Sequence, residues 1–220
     1  MSVGDGMVQG VSVVTTTWNE RENIEKLILS VKSALKDFPY EIIVIDDSSS
    51  DGTFEVARRV ADLAVSKVRE GQTKGLLYGM KLAKFPVIVT IDADLENDPK
   101  LILSLVQKLD EFDLVVASRK VVPRFSEKLA SKTLGKMFSV SDFFSNFRVY
   151  KKAAIGNLSL KGGETFGGEL LVSARKNGLR IGEVTYEPAL RRSKPRIGGT
   201  IRANFRIMVA LFKCFIIYLV

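Results

Sequence analysis

Residues 86–99 read PVIVTIDADLENDP, an apolar run that ends in two aspartates separated by one alanine. Val87, Ile88, Val89 and Ile91 are interrupted only by Thr90, the pattern of a strand covered by helices on both faces. Asp98-Pro99 then offers an N-cap with proline at the first helical position, and Leu101, Leu105 and Leu109 recur at helical spacing. A buried strand, an acidic turn and a capped helix make one β–α unit. The acidic turn therefore lies at the carboxyl end of a strand, where open parallel sheets bind their ligands.

The same unit recurs on either side. Residues 11–16 (VSVVTT) read as a strand, followed by Asn19 as an N-cap with Glu22 completing a capping box. Ile24, Leu27, Ile28, Val31 and Leu35 then mark a helix face. Residues 41–45 (EIIVI) form a second apolar strand, and Asp51-Gly52-Thr53 opens the next helix. A short strand is expected at 64–68, a short helix at 75–83 and a fourth strong strand at 113–117 (DLVVA). This alternation predicts an α/β, doubly wound, mainly parallel sheet flanked by helices. Further on, 125–138 has helical periodicity, 164–176 reads as a helix closed by Gly178, and 179–186 reads as a strand. With 220 residues and no internal repeat, the expectation is a flexible leader (1–10), one domain (11–200) and a C-terminal amphipathic helix (201–220).

Three acidic features fall at strand ends. Glu20 follows the first, Asp46 and Asp47 close the second, and Asp92, Asp94 and Glu96 close the third. Asp92 and Asp94 can point the same way, and the small Ala93 leaves room for a ligand. Mg²⁺ typically takes one or two carboxylates together with phosphate oxygens. Solvated loop aspartates are the alternative, but the place directly after a buried strand favours a metal site. Asp51 and Ser50 compete to cap the following helix, which leaves at least one of Asp46 and Asp47 for a ring N–H or a hydroxyl.

Composition narrows the chemistry. Lys and Arg number 33 against 25 Asp and Glu, a formal charge of +8 that suits anionic partners or simply a solvated basic surface. There is no histidine, which excludes Ser-His-Asp and Cys-His nucleophiles and the commonest zinc ligand. The one cysteine, Cys214, rules out an internal disulfide. No basic stripe interleaved with aromatics suggests nucleic acid as a partner. No G-x-G-x-x-G follows the first strand, which disfavours a dinucleotide-binding dehydrogenase. The first ten residues lack the apolar run of a signal peptide, so the catalytic face is expected in the cytosol.

Two late segments add to this. Arg191, Arg192, Lys194, Arg196 and Arg202 cluster around Pro195 and Gly198-Gly199, either as a solvated mobile loop or as a phosphate clamp that orders on substrate. Phe205, Met208, Val209, Phe212, Phe215, Ile216 and Leu219 form an apolar stripe with Arg206 and Lys213 among them. The apolar run from 207 to 220 is short for a span and is broken by Lys213, which predicts a helix lying in a membrane interface. A core helix and a truncated spanning segment are the alternatives.

Five motifs in order give a resemblance. They are TWNERENI at 17–24, IDDSSSDGT at 45–53, DADLENDP at 92–99, Ser118-Arg119, and DFFSNFR at 142–148. Together they resemble family 2 glycosyltransferases of the GT-A, Rossmann-like fold, especially dolichol-phosphate mannose synthases and related polyprenyl-phosphate glycosyltransferases. The resemblance implies an inverting transfer of a sugar to dolichyl or polyprenyl phosphate at the cytoplasmic face of a membrane. Mannose from GDP-mannose is the first expectation for the donor, and UDP-glucose and UDP-N-acetylglucosamine follow. It implies that Asp92, Asp94 and Glu96 hold Mg²⁺ or Mn²⁺, and that Asp94, Glu96 and Arg119 are the catalytic groups. Thr17, Trp18, Glu20, Asp46, Asp47, Lys74, Asp92, Ala93 and Arg148 would contact substrate, with Arg192 and Lys194 on phosphates. There are departures from the family pattern. Thr16 replaces a proline, Trp18 a tyrosine, and Asn146 the glycine of S-G-F-R. Leu77 stands where a second glycine of G-L-G is common, and Lys128 and Ser131 only blur the R-x-x-S-x-x-A helix. A soluble glycosyltransferase acting on glycan and a sugar-nucleotide-binding protein are the other readings.

Overall fold

The structure, a computed structural model, describes residues 10–122, 124–156, 158, 160, 163–165, 167–188 and 200–219. Arg192 and Lys194, with most of the basic loop, lie outside the described residues. The strands β1 (Val11–Thr17), β2 (Tyr40–Asp46), β3 (Leu63–Ser66) and β4 (Val87–Thr90) pair in parallel. β5 (Leu114–Arg119) and β7 (Ile181–Tyr186) pair in parallel with each other. Between β4 and β5 lies β6 (Arg148–Lys151), antiparallel to both, so the sheet order is β3-β2-β1-β4-β6-β5-β7. The expected mainly parallel sheet is present. β6 was not foreseen as a strand, because RVYK is short and begins with a charged residue.

The apolar runs are two-sided because both faces of the sheet are covered. Successive residues such as Val13 and Val14, or Ile42 and Ile43, enter opposite cores. One core is closed by α1 (Arg21–Ala34), α2 (Thr53–Val60) and α4 (Ile102–Gln107). The other is closed by α3 (Gln72–Leu82), by α5 (Phe125–Ala130) and α6 (Lys136–Phe138) joined through a π turn, and by α8 (Gly168–Lys176) and α9 (Thr200–Leu219). The remaining short helix, α7 (Lys152–Ile155), follows β6 directly. The helix expected over 125–138 is thus interrupted by Ser131–Gly135, and the one expected from 164 begins at Gly168.

Two local readings change. Asn19 does not cap α1; it adopts a left-handed conformation (φ 57°), and Glu20 takes the N-cap position without a side-chain cap bond. The Asn19 amide oxygen instead accepts from Ser50 N at 3.0 Å, which ties the end of β1 to the loop after β2. On α9, Phe215 is half-buried rather than part of the outer stripe.

α3 approaches the sheet closely for a specific reason. A Cβ on Gly79 would meet Val14 Cγ1 at 2.4 Å, and one on Gly75 would meet Thr16 Cγ2 at 2.7 Å. The two glycines let the helix sink onto β1 and β2, which carries its first residue, Gln72, to the strand ends.

At the opposite edge, Asp113 fastens the entry of β5. It accepts from Arg180 N at 3.0 Å, from Arg180 Nε at 3.3 Å and from Lys151 Nζ at 3.2 Å. The Arg180 hydrogen bonds are the main cause that holds its carboxyl down at about 2, against an ordinary value of 3.8. A depressed folded-state pKa contributes stability that is full above the ordinary value and is lost as pH falls through the folded one. Asp113→Asn should therefore lower the unfolding free energy by about 1 kcal/mol near neutrality, after solvent screening. The gap between variant and parent should close between about pH 4 and pH 2. Urea denaturation of both proteins at stepped pH checks this, and a gap that stays constant down to pH 2 would refute the assignment.

Candidate active site

β1 has β2 on one side and β4 on the other, so the chain switches direction across β1 and opens a crevice at the strand carboxyl ends. A cleft of about 600 Å³ lies there. Three of the loops that feed it turn through left-handed residues other than glycine: Asn19 after β1, Ser48 after β2 and Leu95 after β4. Such conformations are costly for a branched apolar residue like Leu95, and they gather at functional sites.

The two halves of the cleft differ. On the β1–β2 side, Thr17, Trp18, Glu20 and Asp47 line the wall. Arg69 stacks on the Trp18 ring, with its guanidinium carbon 3.4 Å from the ring centroid. Asp47 accepts from Lys67 Nζ at 2.7 Å and from the backbone N–H groups of Glu70 and Gly71, each at 2.9 Å. Burial pushes its carboxyl up, but those three donors outweigh burial and hold it below the ordinary value. Asp46 does not reach the cleft lining. It is buried, accepting from Thr17 Oγ1 at 3.0 Å and from Ser49 N at 2.9 Å, so it organises the loop between β2 and α2. Neither Ser50 nor Asp51 caps α2, whose N-cap is Gly52, although Asp51 accepts from Thr53 N at 3.0 Å.

At the end of β4, Asp92, Ala93, Asp94, Glu96 and Asn97 all line the cleft. Gln72 donates to Asp92 Oδ1 at 2.5 Å. Burial and the neighbouring Asp94 raise the Asp92 pKa, while Arg119 pulls it down. Asp94 Oδ1 accepts from Glu96 N at 3.2 Å. Glu96 faces Arg119, with Oε2 at 3.7 Å from Nη1.

Arg119, the last residue of β5, is the centre of a charge network. Its Nε donates to Asp142 Oδ2 at 2.6 Å, and its Nη2 lies 3.5 Å from Glu127 Oε1. Burial opposes its charge, but Asp142, Glu127 and Glu96 outweigh that and keep it protonated. Asp142 and Glu127 are both buried. The segment before β6 crosses the strand ends, where Ser145 Oγ donates to Ala117 O at 2.7 Å and Thr90 Oγ1 donates to Asn146 O at 2.6 Å. Phe144, Ser145 and Asn146 thereby join the lining.

Two expected contacts are elsewhere. Lys74 is exposed on α3, paired with Glu70 at 2.7 Å, and does not line the cleft. Arg148 is buried below the cleft and donates to Gly167 O at 2.7 Å and Phe143 O at 3.1 Å. Arg69, Gln72, Arg124, Glu127, Glu164 and Arg206 line the cleft without having been singled out for it. None belongs to a motif that spacing alone would reveal.

The acidic turn can be tested as a cation site. Among the described residues, no group of three carboxylates converges closely enough to cage an ion. Asp92 and Asp94 nonetheless repel one another in a partly desolvated place, the condition that a divalent cation relieves. Two carboxylates, with phosphate oxygens completing the shell, are what Mg²⁺ typically requires. The pair fits such an ion, and Glu96 is engaged by Arg119 instead.

Comparison with known proteins completes the description. The family model for Glycosyl transferase family 2 matches residues 12–162. The chain is 34% identical over 170 residues to the dolichol-phosphate mannosyltransferase of Pyrococcus furiosus, covering 68% of this chain and 48% of that protein. It is 30% identical over 167 residues to the undecaprenyl-phosphate 4-deoxy-4-formamido-L-arabinose transferase of Edwardsiella ictaluri, covering 67% and 51%. The chain therefore spans about half the length of the curated relatives it matches. Glucosyl-3-phosphoglycerate synthase of Mycobacterium tuberculosis superposes with a TM-score of 0.77 at 23% identity, over 94% of this chain and 80% of that one. Its complex with Mn²⁺, UDP and glucosyl-3-phosphoglycerate gives 0.75 at 24% identity, over the same shares. That likeness establishes the GT-A fold.

Proposed function

This chain belongs to glycosyl transferase family 2, and from that premise we propose that it transfers a sugar from a nucleoside diphosphate to a polyprenyl phosphate. The observation that carries the reading is the acidic pair Asp92–Asp94 in one cleft with a wall of Trp18, Glu20 and Asp47. The names of two curated relatives, both transferases acting on a lipid phosphate, support the acceptor class. Mannose from GDP-mannose is the donor we favour, from the same likeness.

Asp92 and Asp94 would hold the divalent ion, which supplies charge stabilisation for a leaving diphosphate. The Mn²⁺ in the mycobacterial complex supports a divalent cation of this kind. Gln72 orients Asp92, and Glu96 orients Arg119. Trp18 offers a ring face to a base once Arg69 yields it, and Glu20 accepts from hydroxyls. An acceptor phosphate is already anionic near neutrality. No strong base is needed to prepare it, and the absence of histidine is no obstacle. A single displacement inverts the anomeric carbon.

A membrane surface on the cytoplasmic side is the setting we favour, and α9 supports the surface contact. Its inner face is in the core, and its outer face leaves Ile201, Phe205, Phe212 and Leu219 exposed. The outer face also carries the exposed Arg202 and Arg206, so it is apolar and basic together. Among the described residues, no helix is long and apolar enough to cross a membrane. The test is a panel of GDP- and UDP-sugars with Mg²⁺ or Mn²⁺ and a polyprenyl phosphate, read by product mass. A sugar-phosphoryl-lipid product is expected. Transfer to soluble glycans alone would replace this reading with the glycan-directed one.

A further inference from the structure

The first turn of α3 has no cap of its own. Gly71 stands at the N-cap position and has no side chain to accept from the backbone N–H groups that open the helix. Carboxylates from two distant segments take that place. Asp47, after β2, accepts from the N–H groups of Glu70 and Gly71. Glu164, between α7 and α8, accepts from Thr73 N at 3.3 Å and from Thr73 Oγ1 at 2.6 Å, across 91 positions of chain. Thr165 N donates to Thr73 Oγ1 at 3.4 Å, so that hydroxyl is engaged both as donor and as acceptor. Gly71 is fitted to this neighbour. Its φ of 98° favours glycine, and a Cβ there would lie 2.5 Å from Glu164 Oε2.

Gln72 is the residue between the two anchors. Its backbone is held on both sides, which sets the direction in which its side chain leaves the helix. That direction brings Nε2 to Asp92 Oδ1 at 2.5 Å. Asp92 and Asp94 repel one another, and a brace is what keeps Asp92 from turning away. Glu164, Gln72 and Asp92 all line the same cleft.

We propose that Glu164 is a positioning residue for the cation site: it caps α3 from outside the helix and, through Gln72, holds the Asp92 carboxylate where the ion binds. This rests on the reading of Asp92 and Asp94 as the divalent-cation site and deepens it. It makes the segment between α7 and α8 part of that site's support.

The experiment measures Mn²⁺ binding to the full chain from the EPR signal of the free ion, with GDP and, separately, UDP in excess. Glu164→Ala should raise the Mn²⁺ dissociation constant about tenfold, the low end for loss of a group that orients a metal ligand. Glu164→Gln keeps an acceptor for Thr73 Oγ1 and should lose less, and it serves for the comparison if the alanine variant fails to fold. The deciding measurement is made on a Gln72→Leu background. There Glu164→Ala should change the Mn²⁺ constant by less than about twofold, because its route to Asp92 is gone. A general loosening of the domain would persist on that background. In the metal-free chain, amide hydrogen exchange over residues 70–76 should quicken in Glu164→Ala. In transfer assays the metal concentration for half-maximal rate should rise while the acceptor KM stays within about twofold. Equal Mn²⁺ binding by parent and Glu164→Ala, or an undiminished effect on the Gln72→Leu background, overturns the proposal and leaves the cation reading standing. A parent that binds no Mn²⁺ beside either nucleotide overturns the cation reading, and this proposal with it.

Discussion

Asp94→Ala is expected to lower kcat by at least about a hundredfold to a thousandfold, the range for deletion of one preorganised electrostatic group. The position is suited to the test because Asp94 is half-buried at the cleft, and the hydrogen bond its carboxylate accepts within the turn, from Glu96 N at 3.2 Å, is a long one. Its carboxylate is not a core element, so the fold should survive. Asp92 is a less clean target, since it is braced by Gln72 and its removal would also disturb α3. Two readouts separate metal from nucleotide. Turnover against Mg²⁺ or Mn²⁺ concentration should lose its normal saturation. Nucleotide binding can be followed by the emission of Trp18, the single tryptophan of the chain, which already lies under Arg69. Normal metal-dependent transfer by Asp94→Ala would show that the cation site is elsewhere.

Asp142→Ala should cause the largest loss of stability. Asp142 is 1% exposed and takes two hydrogen bonds from Arg119, at 2.6 and 3.3 Å. Removing one member of a buried ion pair costs roughly 3–5 kcal/mol, because the other charge stays behind without its partner. Glu127 and Glu96 remain near Arg119, which places the cost near the lower end, about 3 kcal/mol. For a domain of this size that is a fall in Tm of about 6–12 °C. Asp142→Asn keeps an acceptor and the shape, so it should lose less. A thermal melt in which Asp142→Ala falls by under about 2 °C would mean that Arg119 is solvated in solution rather than held. Activity should fall with it, since Arg119 is aimed into the cleft by Asp142.

Much of the fold was legible because its causes are local. The strands at 11–17, 40–46 and 87–90 are apolar runs, and any run covered on both faces reads that way at short range. The antiparallel β6 escaped because a four-residue strand opening with Arg148 has no such signature. The N-cap of α1 was misread because Asn19 satisfies a partner 31 residues away instead of its own helix. The acidic ends of β1, β2 and β4 were visible for the same local reason, and the cleft does gather Glu20, Asp47, Asp92 and Asp94.

The amino-acid sequence by itself determined the parallel core, the family and the acid-bearing turns, since periodicity and residue order are properties of neighbouring residues. Tertiary structure alone decided which charges meet. It turned Asp46 inward to a loop and Asp47 toward the cleft, although the two are adjacent. It placed Arg119 among carboxylates from three segments and brought Arg206 into the same cleft lining as Arg124 across 82 positions of chain. An electrostatic contact depends on distance in space and on burial, and neither is recorded in the order of residues.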